Sequence, residues 1–145
     1  MARYCEEIRV FKTREQAFDY LADFATVAEW DPGIERATRL TSQPIGVGSR
    51  FLVVASVLGR ELELTYTITE YERPIRVVLE ADERLVSSVD EITFRADGEQ
   101  TVVTYDANLR LWGPLKLYDP GLRLAFSRVG SQAADGMRET LGSPE

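Results

Sequence analysis

The chain contains no histidine, so the usual general base at neutral pH is unavailable. Its absence removes the Ser-His-Asp and Cys-His arrangements and the commonest ligand for zinc or non-haem iron. Catalysis here would fall to carboxylates, tyrosine, lysine, arginine or ordered water. Asp90 is the most informative carboxylate. Counting back by twos from Ile92 and Phe94 puts Asp90, Ser88 and Val86 on the inward side of one strand. A carboxylate on an apolar face has its pKa raised by desolvation unless a cation or hydrogen-bond donors are near, and such a group can act as an acid or base. A register one residue different would turn Glu91 inward instead, and a strand-end position would leave Asp90 in water.

Tyr66 and Tyr105 fall inward by the same alternation. Their hydroxyls can orient a ligand carbonyl or phenol, or the rings can be core residues with one hydrogen-bond partner. Trp30 and Trp112 stand at element ends, where a large ring walls a cavity mouth or plugs the core. Tyr118 lines an entrance or faces solvent. Glu6 is in phase with Ile8 and Val10 but close to a strand end, where water is the expected environment. Arg84, at a hairpin tip, and the acidic run Glu61, Glu63, Glu70 and Glu72 read as solvated surface.

Positioning these groups requires a sheet. From Ile34 to Trp112 the hydrophobic period is two, giving strands at about 34–41, 49–58, 61–73, 75–83, 85–96 and 100–112 in antiparallel hairpin order. Turn chemistry separates them at Pro44 to Gly48, Leu58-Gly59-Arg60, Arg73-Pro74 and Asp97-Gly98. Leu62, Leu64, Tyr66 and Ile68 point one way and Glu61, Glu63, Thr65, Thr67 and Thr69 the other, as do Val103, Tyr105, Ala107, Leu109 and Leu111 against Thr104, Asp106, Asn108 and Arg110. One face is dry and the other wet.

Before this sheet, residues 4–11 read as a strand. Thr13 and Gln16 then make a capping box for a helix carrying Ala17, Phe18, Leu21 and Ala22 on one face. Phe24 to Trp30 reads as a second short helix, ended by Asp31-Pro32-Gly33. After Gly113-Pro114, Asp119 is the N-cap and Pro120 the first residue of a helix reaching Leu141. It spans roughly six turns, about 33 Å. Leu122, Phe126, Val129, Ala133 and Met137 form its apolar stripe, flanked by Ala125 and Gly136. The expectation is an α+β domain over residues 1–145, a curved antiparallel sheet of about seven strands wrapped around the long C-terminal helix.

Composition narrows the function classes. The 145 residues suit one domain with a real core, and 44% hydrophobic with 28% charged residues is ordinary for a globular chain. A net charge of −7 argues against nucleic acid or anionic membrane as the main partner. No apolar run approaches the roughly 20 residues of a spanning helix, and the N-terminus lacks a signal-peptide core; a cytoplasmic protein is expected. Cys5 is alone, which leaves no internal disulfide or multi-cysteine metal site. Neither a cofactor nor a bound metal is expected.

The order of elements, with particular residues at their corners, resembles the START-like (SRPBCC) superfamily with its helix-grip fold, and specifically its polyketide cyclase/dehydrase-like group of small bacterial proteins. The residues that carry the resemblance are Ile8-x-Val10 before a capped helix, Trp30-Asp31-Pro32-Gly33-Ile34, Gly46-x-Gly48-Ser49-Arg50-Phe51, Gly59, Glu72-Arg73-Pro74, Gly98-x-x-Thr101-x-Val103-x-Tyr105, and Gly113-Pro114. Together they cover nearly all of residues 4–141. The resemblance implies a cavity between the long helix and the concave sheet face, holding an apolar small molecule or lipid. It transfers no invariant catalytic motif, and the missing histidine counts against mechanisms that need one.

Three functions remain open. The first is a binder or carrier of a lipid, polyketide or aromatic molecule in contact with Trp30, Tyr66, Ser88, Tyr105, Trp112, Tyr118 and the helix stripe. The second is a cyclase or dehydratase-type enzyme using Asp90 and the tyrosines. The third is a protein-interaction module with a filled core. The ligand's identity and the oligomeric state, homodimer included, are open.

Overall fold

The computed structural model describes residues 2–57, 59–84, 86–111 and 135–137. β1 (Ala2–Val10) leads into α1 (Arg14–Ala22), a 3-10 turn (Phe24–Thr26) and α2 (Val27–Trp30). Six strands follow in hairpin order: β2 (Ile34–Arg39), β3 (Arg50–Val57), β4 (Arg60–Glu72), β5 (Arg76–Asp82), β6 (Val86–Asp97) and β7 (Gln100–Leu111). All seven form one antiparallel sheet in the order β1-β7-β6-β5-β4-β3-β2, with the first strand closing beside the last.

Local chemistry accounts for the ends of these elements. The Thr13 hydroxyl accepts from the Gln16 backbone N–H, and the Gln16 side chain accepts from the Thr13 N–H, completing the expected capping box. The expected single helix from Phe24 to Trp30 is instead a 3-10 turn followed by one turn of α-helix. Asp23 supplies the cap that divides it from α1, accepting from the Ala25 N–H. Gly98, with φ +63°, makes the tight β6–β7 turn that pairs Asp97 with Gln100. That pairing fixes the register of both strands.

The inner face of the sheet is the core. Ile8, Val10, Phe51, Val53, Leu64, Ile68, Leu79, Ile92 and Phe94 are buried there together with Phe18, Leu21 and Phe24 from the helical segment. Two irregularities modify simple alternation. In β4 the register shifts between Ile68, opposite Leu79, and Glu70, opposite Val78, so Thr69 is the extra residue of a bulge and Tyr71 turns to the core. A second shift lies in β2 between Ile34 and Arg36.

The outer face is not uniformly wet, as alternation suggested: Val54, Val78 and Val102 are buried there. Their cross-strand neighbours are long charged residues, Arg36 and Glu63, Glu70 and Glu91, Arg9 and Arg95. Such stems cover small apolar side chains while their heads stay in water.

Residues 135–137 are helical. Met137 is buried in the core, and Gly136 lies against α2. A Cβ at Gly136 would stand 2.7 Å from the Trp30 carbonyl carbon and closer still to its oxygen, so only glycine permits this approach. The remainder of the expected helix over 119–141, with Leu122, Phe126, Val129 and Ala133, lies outside the described residues, as do Trp112 and Tyr118.

Candidate functional site

Three polar residues of the inner face, Ser88, Asp90 and Tyr105, come together. Antiparallel register places Ser88 opposite Ala81 and Leu109, and Asp90 opposite Leu79 and Ala107. Both are buried, Asp90 with 3% of its surface exposed. The Ser88 hydroxyl donates to Asp90 Oδ1 at 2.8 Å, and the Tyr105 hydroxyl donates to Oδ2. Tyr66 reaches the same cluster from β4, near enough to Ser88 and Asp90 for both to act on its hydroxyl.

Aromatic rings enclose these groups. The Trp30 indole meets Tyr105 edge-on with centroids 5.7 Å apart. Phe24 meets Tyr66 at 5.0 Å and Trp30 at 6.4 Å. Trp30 is 1% exposed, and its Nε1–H has no hydrogen-bond acceptor among the described residues. A buried donor without a partner is costly.

Burial dominates the electrostatics. Desolvation pushes the Asp90 carboxyl up to about 6, against the stabilising bonds from Tyr105 and Ser88. Asp31, at the end of α2, is also pushed up to about 6, first by burial and then by the Asp90 charge, although it accepts from the Gly33 N–H at 2.9 Å. Tyr66 and Tyr105 are pushed well above the ordinary phenol range by burial and by Asp90, and remain hydrogen-bond donors. The site therefore offers two carboxyl groups held above the usual carboxylate range, two phenols and an indole N–H with no acceptor among the described residues. Among the described residues, no group of three His, Cys, Asp or Glu side chains is placed to hold a metal ion.

Tyr66, Ser88, Asp90 and Tyr105 face inward together, as alternation along their strands predicts, and Trp30 meets them from the end of α2. Glu91 is the outward member of its pair and takes a 2.6 Å contact from Arg76. Glu6 is half-buried rather than solvated, and accepts from the Tyr4 hydroxyl at 2.9 Å. It lies opposite Tyr105 on β1. Arg84, Glu61, Glu63, Glu70 and Glu72 are exposed.

Sequence reasoning missed Asp31, which reads as turn chemistry before Pro32 and becomes a site group only through packing of α2 on the sheet.

Comparisons with known proteins agree with this architecture. The chain superposes on TTHA0849 from Thermus thermophilus with a TM-score of 0.80 at 15% identity, covering 96% of both chains. A START superfamily protein from Mycobacterium smegmatis gives 0.79 at 11% identity over 97% of both. The di-domain ARO/CYC BexL of the BE-7585A biosynthetic pathway gives 0.71 at 11% identity, covering 99% of this chain and 50% of that one. At these identities the likeness is one of fold. No curated protein matches the chain in sequence. The profile of one family, described as polyketide cyclase / dehydrase and lipid transport, matches residues 1–142. With that match running through β1, the helical segment and the whole sheet, the chain belongs to the polyketide cyclase/dehydrase and lipid transport family.

Proposed function

We propose that this protein binds an apolar small molecule of the lipid, polyketide or aromatic class against the inner face of its sheet, with an oxygen-bearing part of that molecule at Trp30, Tyr105 and Asp90. The observation that carries this reading is the buried Asp90–Ser88–Tyr105 cluster beside a Trp30 N–H that has no acceptor among the described residues, on a largely apolar face. An apolar surface with a few convergent polar groups suits such ligands. The Trp30 N–H, with no acceptor among the described residues, can donate to a ligand carbonyl or hydroxyl oxygen. Asp90 accepts from a ligand hydroxyl when ionised and donates when protonated. The family's description is consistent with this chemistry.

Native and denaturing mass spectrometry of the purified protein, compared directly, test the proposal. A small apolar compound present in the native spectrum and lost on unfolding supports it and identifies the ligand class. An apo mass together with no saturable displacement of a fluorescent apolar dye would refute it and favour an interaction module with a filled core.

A second reading, a cyclase or dehydratase-type enzyme, is favoured by one specific feature: Asp31 and Asp90 both titrate at about 6, within the range useful for general acid–base work. Under this reading Asp90→Asn abolishes turnover of a polyketide-like substrate and leaves apolar binding nearly intact. Unchanged turnover removes Asp90 from the chemistry.

A further inference from the structure

Arg39 ends β2, the edge strand, and alternation along β2 gives it the same side as Ala37. Register confirms the side. Arg39 is opposite Phe51, as Ala37 is opposite Val53, and both partners belong to the inner core. Phe51 lies opposite Tyr66, Tyr66 opposite Ala81, and Ala81 opposite Ser88. Arg39 therefore stands in one cross-strand row with two members of the polar cluster. It is two strands from Tyr66 and four from Ser88, or about 10 Å and 19 Å between Cα atoms at the usual strand spacing.

The guanidinium in this position is incomplete. Arg39 Nε and Nη2 are buried and have no hydrogen-bond partner among the described residues. Burying charged donors without acceptors is strongly unfavourable. In a chain of net charge −7, carboxylates are not scarce. Elsewhere the protein shows what this edge of an arginine takes. Arg3 uses Nε and Nη2 to hold both oxygens of Asp106, at 3.0 and 2.9 Å. Arg73 holds Asp19 through the same two nitrogens, at 2.7 and 2.8 Å. Two parallel N–H donors match the two oxygens of a carboxylate. At Arg39 the same pair of donors is present, and no carboxylate among the described residues holds it.

We infer that Arg39 is the anchor for a carboxylate carried by the apolar ligand, which lies along the inner face with its acid group at the β2 edge and its body directed toward Tyr66 and Ser88. This rests on the reading of the inner face as an apolar-ligand site. It narrows the ligand class to apolar carboxylic acids and makes Arg39 the residue that selects them over neutral analogues. Lysine would keep the charge but lose the paired donors.

Matched probes test this at pH 7.5, where the acids are ionised: decanoate against 1-decanol, and 2-naphthoate against 2-naphthol, each titrated by calorimetry into the wild-type protein, Arg39→Gln and Arg39→Lys. Charge-assisted bonds of this kind correspond to about 10- to 100-fold in affinity. In at least one pair the wild type should favour the acid by that factor. Arg39→Gln should abolish the preference and leave binding of the neutral partner unchanged, and Arg39→Lys should fall between. Equal affinity for acid and neutral partner in both pairs overturns the role of Arg39 while leaving apolar binding intact. Equal loss of acid and neutral binding in Arg39→Gln overturns it as well, because the residue would then be structural. Failure of all four probes to bind overturns both this inference and the apolar-ligand reading. Tighter binding of decyl phosphate than of decanoate would assign the fork to phosphate and overturn the carboxylate.

Discussion

Replacing Asp90 by Asn should stabilise the protein at pH 8. The Asp90 carboxyl titrates at about 6 in the folded chain, against an ordinary value of 3.8. Between those values the folded state retains a proton that the unfolded state has lost. Folding stability therefore falls as pH rises from about 4 to about 6, and the penalty is complete above that window. A displacement of about two pKa units corresponds to about 3 kcal/mol. Asparagine has the same shape and carries no charge to desolvate. Its carbonyl oxygen still accepts from the Tyr105 hydroxyl, and its amide can donate to Ser88. Asp90→Asn should therefore exceed the wild type by up to about 3 kcal/mol at pH 8, roughly 6–12 °C in Tm for a chain of this size. The advantage should shrink to near zero at pH 4. Urea unfolding of both proteins at several pH values reads the effect directly. Ion pairs such as Arg73–Asp19 and Arg76–Glu70 weaken in acid in both proteins and cancel in the difference. A wild type more stable than the variant at pH 8, or a difference independent of pH, would refute the desolvation argument. A stabilising variant would also mean that this buried carboxylate is retained at a cost to stability, as expected of a functional group.

Two further perturbations address the surroundings of Asp90 and the packing of residues 135–137 on α2. Tyr105→Phe removes a bond that lowers the Asp90 pKa, so the carboxyl should titrate above 6. Its protonated C=O infrared band should persist to higher pH than in the wild type, and stability at pH 8 should drop by about 1–3 kcal/mol; an unmoved titration would show that Tyr105 does not stabilise the carboxylate. Gly136→Ala drives a methyl group into the Trp30 carbonyl, which ordinary helix propensity, worth about 1 kcal/mol in favour of Ala, does not offset. Denaturant unfolding should show a loss of at least about 2 kcal/mol, and an equal or more stable variant would mean that α2 and the 135–137 turn do not pack as described.

Much of this architecture is legible because the sheet repeats simple chemistry. Alternation along β6 and β7, pinned by the Asp97-Gly98 turn, is enough to place Ser88, Asp90 and Tyr105 on one side and Glu91 on the other. The Thr13 and Gln16 pair marks the start of α1 by itself. What was not legible depends on contacts distant in sequence. No residue around Thr69 announces a bulge, yet the bulge decides that Tyr71 joins the core. Val54, Val78 and Val102 are buried by partners on neighbouring strands, which alternation within one strand does not reveal. Asp31 has the local chemistry of a turn and is charged against Asp90 only by the packing of α2. Arg39 was within reach of alternation, but an arginine on an edge strand reads as solvated until the burial of its Nε and Nη2 is known.

The central claim, that an apolar ligand meets the inner face at the Trp30 cluster, is tested most directly at the Trp30 indole proton. The chain has two tryptophans, so a Trp30→Phe variant assigns the Nε1–H resonance in a nitrogen–proton correlation spectrum. Titration with 2-naphthol should shift that resonance saturably and downfield, as the unpaired donor acquires an oxygen acceptor. An indole proton that stays in place while the probe saturates the protein, or the absence of saturable binding, would contradict the account.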